Sequence, residues 1–268
     1  KIGEVGYNLK GIATVTRQKY LTASEKGPWA NSYDRWRNDN LTNRYQGVQF
    51  GYTSAGRYTS WNDIWNYYGF KERDVLPGDY KYEDWNGDGE INGQDEHPFA
   101  FDQTPWLQFS LNAGLQWKNF DFNMLLQGSA LGSMEYKEPL HEIWGKNGGG
   151  ALTQFLDRWH PVDPKADPYD PSTVWTSGHY AYTGRWAKNN SAFNRVSTAY
   201  LRLKSIELGY TFPKLKQIPN ASLRVYANAY NLLTFTGVKF VDPEHPDDDL
   251  GRMYPLNKTY TLGVSLSF

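Results

Sequence analysis

The 268-residue sequence contains no cysteine, which excludes a disulfide framework, a thiolate metal site and a cysteine nucleophile. It lacks any run of about 18 apolar residues, so no helix of it can cross a bilayer, and its first residues, KIGEVGYNLK, lack the order of a secretion signal. An excess of either charge is missing too. Lys and Arg number 28 against 29 Asp and Glu, a net charge of −1, which implies neither nucleic acid nor an anionic membrane surface as partner. The mean hydropathy of −0.71 is low. It leaves room for a transmembrane β-barrel, whose strands are apolar only at alternate positions and whose long loops are polar. What is abundant is aromatic: 20 Tyr and 11 Trp beside 3 Met. Such residues suit β-structure, interfacial belts and sugar-stacking surfaces.

Alternation of period two, the strand signature, appears at Val5, Tyr7, Leu9, Gly11, Ala13 and Val15, with Asn8, Lys10 and Thr14 between them. It returns at Leu107, Phe109, Leu111, Ala113, Leu115 and Trp117, and after the turn WKNF at Phe120, Phe122, Met124 and Leu126, which predicts a hairpin. A second pair is predicted at 199–213 and 221–235, joined by KLKQIPN. In the first of these, Leu201 and Leu203 are out of phase with Ile206, Leu208, Tyr210 and Phe212, which predicts a β-bulge near Ser205. The last strand places Tyr260, Leu262, Val264, Leu266 and Phe268 on one face.

Connections alternate between long and short, about 85, 3, 65, 8 and 20 residues, the asymmetry of outer-membrane barrels with tight periplasmic turns and long extracellular loops. The alternative, a secreted calcium-stabilised carbohydrate-binding β-sandwich, also alternates. Segments of about 11 to 15 residues exceed the usual strand of a globular domain and suit a tilted crossing strand. Aromatics also stand at their ends, at Trp106, Trp117, Phe120, Tyr210, Phe212, Phe235, Tyr254 and Phe268. The fold expected is all-β: a transmembrane antiparallel β-barrel portion of six strands. Because barrels have at least about eight strands, the remaining ones are expected from upstream sequence. Residues 21–105 and 132–197 are expected to be the two long extracellular loops.

The segments LPGDYKYEDWNGDGEING, WLQFSLNAGLQWKNFDFNMLLQG, RWHPVDP, AYLRLKSIELGYTFP and LRVYANAYNLLTFTG, with DPE close behind and a terminal Phe, resemble the SusC/RagA-like TonB-dependent outer-membrane transporters of Bacteroidetes. The resemblance places residues 1–268 at the C-terminal part of that family's barrel. No counterpart of its signal segment, TonB box or plug domain is present. It implies import of a large nutrient, an oligosaccharide or in some members a peptide, in the outer membrane. The implied partners are a SusD-like lipoprotein lid, and TonB acting through the plug. It implies no catalysed chemistry.

Within DWNGDGEINGQDE, the side chains of Asp84, Asn86, Asp88, Asn92 and Asp95 and the carbonyl of Glu90 have the spacing of a calcium loop, with Asp95 where a bidentate Glu is usual. The expectation is a structural calcium ion bracing a long loop; the simpler reading is an acidic turn held by Asx hydrogen bonds. Loop aromatics, among them Trp61, Trp65, Trp159 and Trp175, suit sugar stacking or partner docking, or else a small core in which the loops pack on one another. The other loop aromatics include Trp29, Trp36, Tyr67, Tyr68, Trp144, Tyr180, Tyr182 and Trp186. The five His show no ligand spacing, and there is no nucleophile elbow, P-loop or dinucleotide fingerprint. Asp157 with Glu142 would make a glycosidase-type carboxylate pair, but nothing singles it out.

Overall fold

The structure, a computed structural model, describes residues 4–23, 27–29, 31–37, 42–67, 75–137, 140–141, 152–184, 187–188, 190–213, 221–245 and 252–268. The expected turn at 214–220, the loop aromatics Tyr68, Trp144 and Trp186, and Glu142 lie outside these residues.

Six long strands form one antiparallel sheet: β1 (Val5–Val15), β6 (Leu107–Trp117), β7 (Phe120–Ala130), β12 (Tyr200–Phe212), β13 (Ser222–Thr236) and β14 (Thr259–Ser267). Their order in the sheet is β1-β6-β7-β12-β13-β14, so each strand lies beside its neighbour in sequence among the six. The expected hairpin pairs Trp117 with Phe120 across Lys118 and Asn119, and Lys118 has a positive φ of 53°.

Register places the apolar set on one face. Tyr7, Leu115, Phe122 and Leu208 lie in one row across four strands, and Val15, Leu107 and Ala130 in another. Between Leu203 and Ser205 the pairing shifts against both neighbours, and this returns Ile206 to the face occupied by Leu203. The out-of-phase Leu and Ile residues thus share a face, as a bulge requires. The opposite face carries Lys10, Thr14, Gln108, Asn112, Gln127, Arg202, Glu207 and Arg224.

Among the described residues the apolar face has no second layer: Leu9, Leu208, Tyr260 and Leu262 are 68%, 54%, 69% and 84% exposed. A sandwich would cover these side chains with a facing sheet. Trp117 and Phe120 stack at the tight-turn rim, with Tyr210 and Phe212 beside them. Trp106 packs instead against Phe101 and Tyr45, beneath the loops.

The two long connections contain structure of their own, which forms a crown at the opposite rim. Short strands pair as separate ribbons: β2 (Val48–Gly51) with β5 (His97–Phe101), β3 (Ser54–Arg57) with β4 (Tyr80–Tyr82), β8 (Ser133–Glu135) with β11 (Arg195–Ser197), and β9 (His160–Pro161) with β10 (Trp175–Thr176). None joins the main sheet, so six strands are the count of the wall among the described residues. Helices α1 (Ser32–Arg37) and α2 (Trp61–Asn66) complete the crown. The sequence TSWND starts α2 through a reciprocal cap: Ser60 Oγ accepts from the Asp63 amide, and the Asp63 carboxylate accepts from the Thr59 amide.

Candidate functional site

The polar face of the wall carries two ion networks built from residues flanked by apolar neighbours. Arg202 of β12, 1% exposed, donates to Thr234 Oγ1 at 3.0 Å, to Asp242 at 2.6 Å and to Glu244 at 2.5 Å. Its guanidinium also lies over the Tyr200 ring. The two carboxylates come from the DPE stretch after β13, so this buried cation folds the last loop back over the polar face. Two further contacts hold that loop: Gln103 donates to the His245 carbonyl, and the Tyr136 hydroxyl bridges the Lys239 carbonyl and amide.

Nearer the tight-turn rim, Arg224 donates to Asp121 and Glu207 at 2.5 and 2.6 Å. Arg224 and Asp121 are on strands two apart and meet above Gly209. A Cβ there would stand 2.6 Å from both the Arg224 Nη2 and the Asp121 carboxylate, which is why the intervening strand has glycine at this point. Sequence reasoning did not single out the four strand residues of these networks, Arg202, Glu207, Arg224 and Asp121. The signal of these four was parity: each occupies the polar phase of a strand whose other phase is apolar, whereas Asp242 and Glu244 lie in the loop after β13.

In the crown, first-connection and second-connection residues interlock. Arg57 donates to the carbonyls of Gly78 and His179 and lies 4.0 Å above the Tyr80 ring. Burial pulls its guanidinium below the ordinary value, against the opposing pull of Tyr80 and Asp79. Asp79, 1% exposed, accepts from the Leu76 amide and from Thr183. Gly78, at φ 95°, sits where a Cβ would come within 2.4 Å of Trp159. Burial also raises the Tyr180 phenol, which accepts from Gln154 and donates to the Leu140 carbonyl.

The four Trp singled out above are not gathered into one platform. Trp159 is packed on Gly78, and Trp175 meets Tyr182 edge-on at 5.3 Å. Trp61 packs against the buried cluster of Tyr58, Ile64 and Val75. Trp65, 63% exposed, adjoins Trp61, which also approaches Tyr169 of the second connection at 6.4 Å. Most of this aromatic content is the crown's own core. Asp157 accepts from the His179 and Tyr180 amides, a turn-holding role.

The acidic loop is compact. Asp84 accepts from the amides of Gly87, Asp88 and Gly89, Asn86 from that of Asp88, Asp88 from that of Glu90, and Asn92 from that of Gln94. Asp95, fully buried, accepts from Trp85, Asn86 and Asn92 and completes a capping box with Asn92. Among the described residues no three Asp, Glu or His side chains converge as a metal site. Aromatic contacts clasp the loop: Trp85 stacks on His97 at 4.9 Å and on Trp36 at 5.8 Å, while the Tyr33 hydroxyl reaches the Gln94 and Glu96 carbonyls.

An antiparallel wall with one naked apolar face, one polar and ion-paired face, and a folded crown at a single rim defines a barrel-wall protein of the outer-membrane type. Its sequence relatives agree with this: the chain is similar to TonB-dependent receptors. Two such receptors of Formosa agariphila are 28% and 27% identical to it over 211 and 239 residues, covering 73% and 84% of this chain. The receptor SusC of Bacteroides thetaiotaomicron is 26% identical over 210 residues, or 77% of the chain. The chain spans only about a fifth of these relatives, 19%, 22% and 19% of their lengths. No family model matches it. Among solved structures, the RagAB peptide transporter superposes with a TM-score of 0.61 at 17% identity, over 100% of this chain and 28% of that one. These relatives are named as receptors and a transporter, in keeping with the expectation that the chain is not an enzyme.

Proposed function

We propose that the chain forms part of the wall and mouth of an outer-membrane importer that takes up a large nutrient, an oligosaccharide before a peptide, under TonB control. In this reading residues 21–105 and 132–197 are extracellular and meet a SusD-like lipoprotein lid. TonB acts on a plug contributed by other sequence. The observation that carries it is the division of the sheet into a lipid-suited face and a polar face, with the crown confined to one rim. The chain's own part is to bind and orient the ligand, to seal the wall against lipid, and to hold the last loop inward through Arg202. The test is uptake of labelled glycan by cells with the intact protein deleted and then restored. Uptake should return with the protein and stop when TonB is removed; restored uptake without TonB would sink the reading.

Calcium at 84–95 is proposed on the ligand spacing of Asp84, Asn86, Asp88, Glu90, Asn92 and Asp95 alone, since the amide contacts already account for the loop's shape. Calcium content per molecule of the intact protein, before and after Asp88→Ala and with mild chelation, decides it. Metal-free wild type would leave a loop held by Asx hydrogen bonds and stacked rings.

A further inference from the structure

A cavity of about 760 Å³ opens on the polar face, where β1, β6, β7 and the start of β12 meet the crown. That volume is within the ~300–1,000 Å³ of small-molecule sites. Register arranges its floor in two rows, Thr14–Gln108–Ser129–Tyr200 and Ile12–Ser110–Gln127, with Arg202 next in the second row but outside the lining. Gln103, Pro105 and Thr198 stand over the floor on the crown side, with Pro243 and Glu244 of the last loop beside them.

Resting on the importer reading, we propose that this cavity binds an uncharged, hydroxyl-rich segment of the transported ligand, a neutral oligosaccharide, and selects against anionic ones. Its polar lining is hydroxyl and amide, groups that both donate and accept as sugar hydroxyls do. No Lys or Arg lines it among the described residues. The adjacent cation, Arg202, is engaged by Asp242 and Glu244 and has no face left for a sulfate or carboxylate. Glu244 is the one carboxylate in the lining and repels such groups. Thr198, 3% exposed, lines the cavity with a hydroxyl that has no hydrogen-bond partner among the described residues, a state a bound ligand would relieve. Ile12, Leu125, Pro105 and Pro243 offer apolar surface for the C–H faces of sugar rings. An extended peptide is less suited, because peptides add to open sheet edges, and β6, β7 and β12 are paired on both sides.

The test uses the intact transporter in detergent and calorimetry with linear hexasaccharides of glucose, xylose and mannose, an oligogalacturonate of equal length, and an uncharged hexapeptide. At least one neutral sugar should bind at least tenfold more tightly than the oligogalacturonate. Gln108→Leu combined with Gln127→Leu should weaken it at least tenfold, with barrel insertion unchanged by heat-shifted migration. Thr14→Lys should narrow the neutral-to-anionic ratio, and it carries the test if the double variant does not insert. Neutral binding unaffected by these changes, or equal binding of the oligogalacturonate, overturns the site while importer function stands. Binding of the hexapeptide alone overturns the carbohydrate assignment. Failure to bind any probe overturns the site, and the importer reading fails with it only if TonB-dependent uptake by cells is absent too.

Discussion

The wall and the crown bury apolar side chains by different means. In the wall, strands of 11, 11, 11, 13, 15 and 9 residues satisfy their backbone groups in ladders, yet large side chains such as Leu9 and Leu262 stay exposed. The crown has short ribbons and two six-residue helices, and it holds most of the tightly buried large apolar residues, among them Ile64 at 1%, Met134 at 0% and Phe155 at 3% exposure. A core of this kind works in water. The wall gains nothing from the hydrophobic effect until lipid covers its outer face, and irregular backbone like the crown's is not tolerated in lipid. The two regions are therefore separable in experiment.

The largest effect is expected from Ile64→Ala, which empties the center of the Tyr58–Ile64–Val75 cluster and costs roughly 2–5 kcal/mol of local stability. Protease cleavage within the first connection should accelerate while insertion of the intact protein is unchanged; a fall in insertion would show that wall and crown fold as one unit. Leu262→Arg sharpens the comparison from the other side. At a site 84% exposed, it would be near neutral in water, but facing the bilayer midplane it costs about 2–4 kcal/mol. Insertion should drop and crown proteolysis should not.

Arg202→Met tests the link between the regions. It removes the buried partner of Asp242 and Glu244, but both carboxylates are partly exposed, so the cost is set at about 2 kcal/mol, below that of a fully buried pair. The loop after β13 should exchange its amide hydrogens faster while the ladder of β12 with β13 keeps its protection. Protection lost throughout β13 would mean that Arg202 holds the strand itself.

The wall was legible in the sequence because its signal is local: period-two alternation fixes the strands, and a break of phase at Lys204–Ser205 fixes the bulge. The crown was not legible. Its strands are two to five residues long and pair across tens of positions, as Val48 does with Phe101, so no window of sequence holds their pattern. The aromatic count was informative, but it could not assign Trp159 to the space above Gly78 or Trp85 to a stack on His97. The acidic loop was found by spacing. The amides that occupy Asp84 and Asp95 could be identified only from the folded chain.

The smallest expected effect lies in the crown and depends on pH. Asp63 is the third residue of α2 and receives the Lys81 ammonium at 2.7 Å and the Thr59 amide at 3.0 Å. Partial burial alone would raise its carboxyl, but these bonds outweigh it and hold the group below its ordinary value of 3.8. A carboxyl depressed in the folded state binds its proton more readily when unfolded. Its stabilization is therefore complete above about pH 4, and it is lost as pH falls through the folded value. With its side chain 26% exposed, solvent screening limits the contribution to about 0.5–1 kcal/mol. Asp63→Asn should weaken the crown by that amount at pH 7 and by less at pH 2.5, measured as the rate of crown cleavage by pepsin at acid pH and by a neutral protease at pH 7, each relative to wild type. An equal penalty at both values would assign the role of Asp63 to its amide-accepting cap, which Asn preserves poorly, and leave the Lys81 pair without a measurable share.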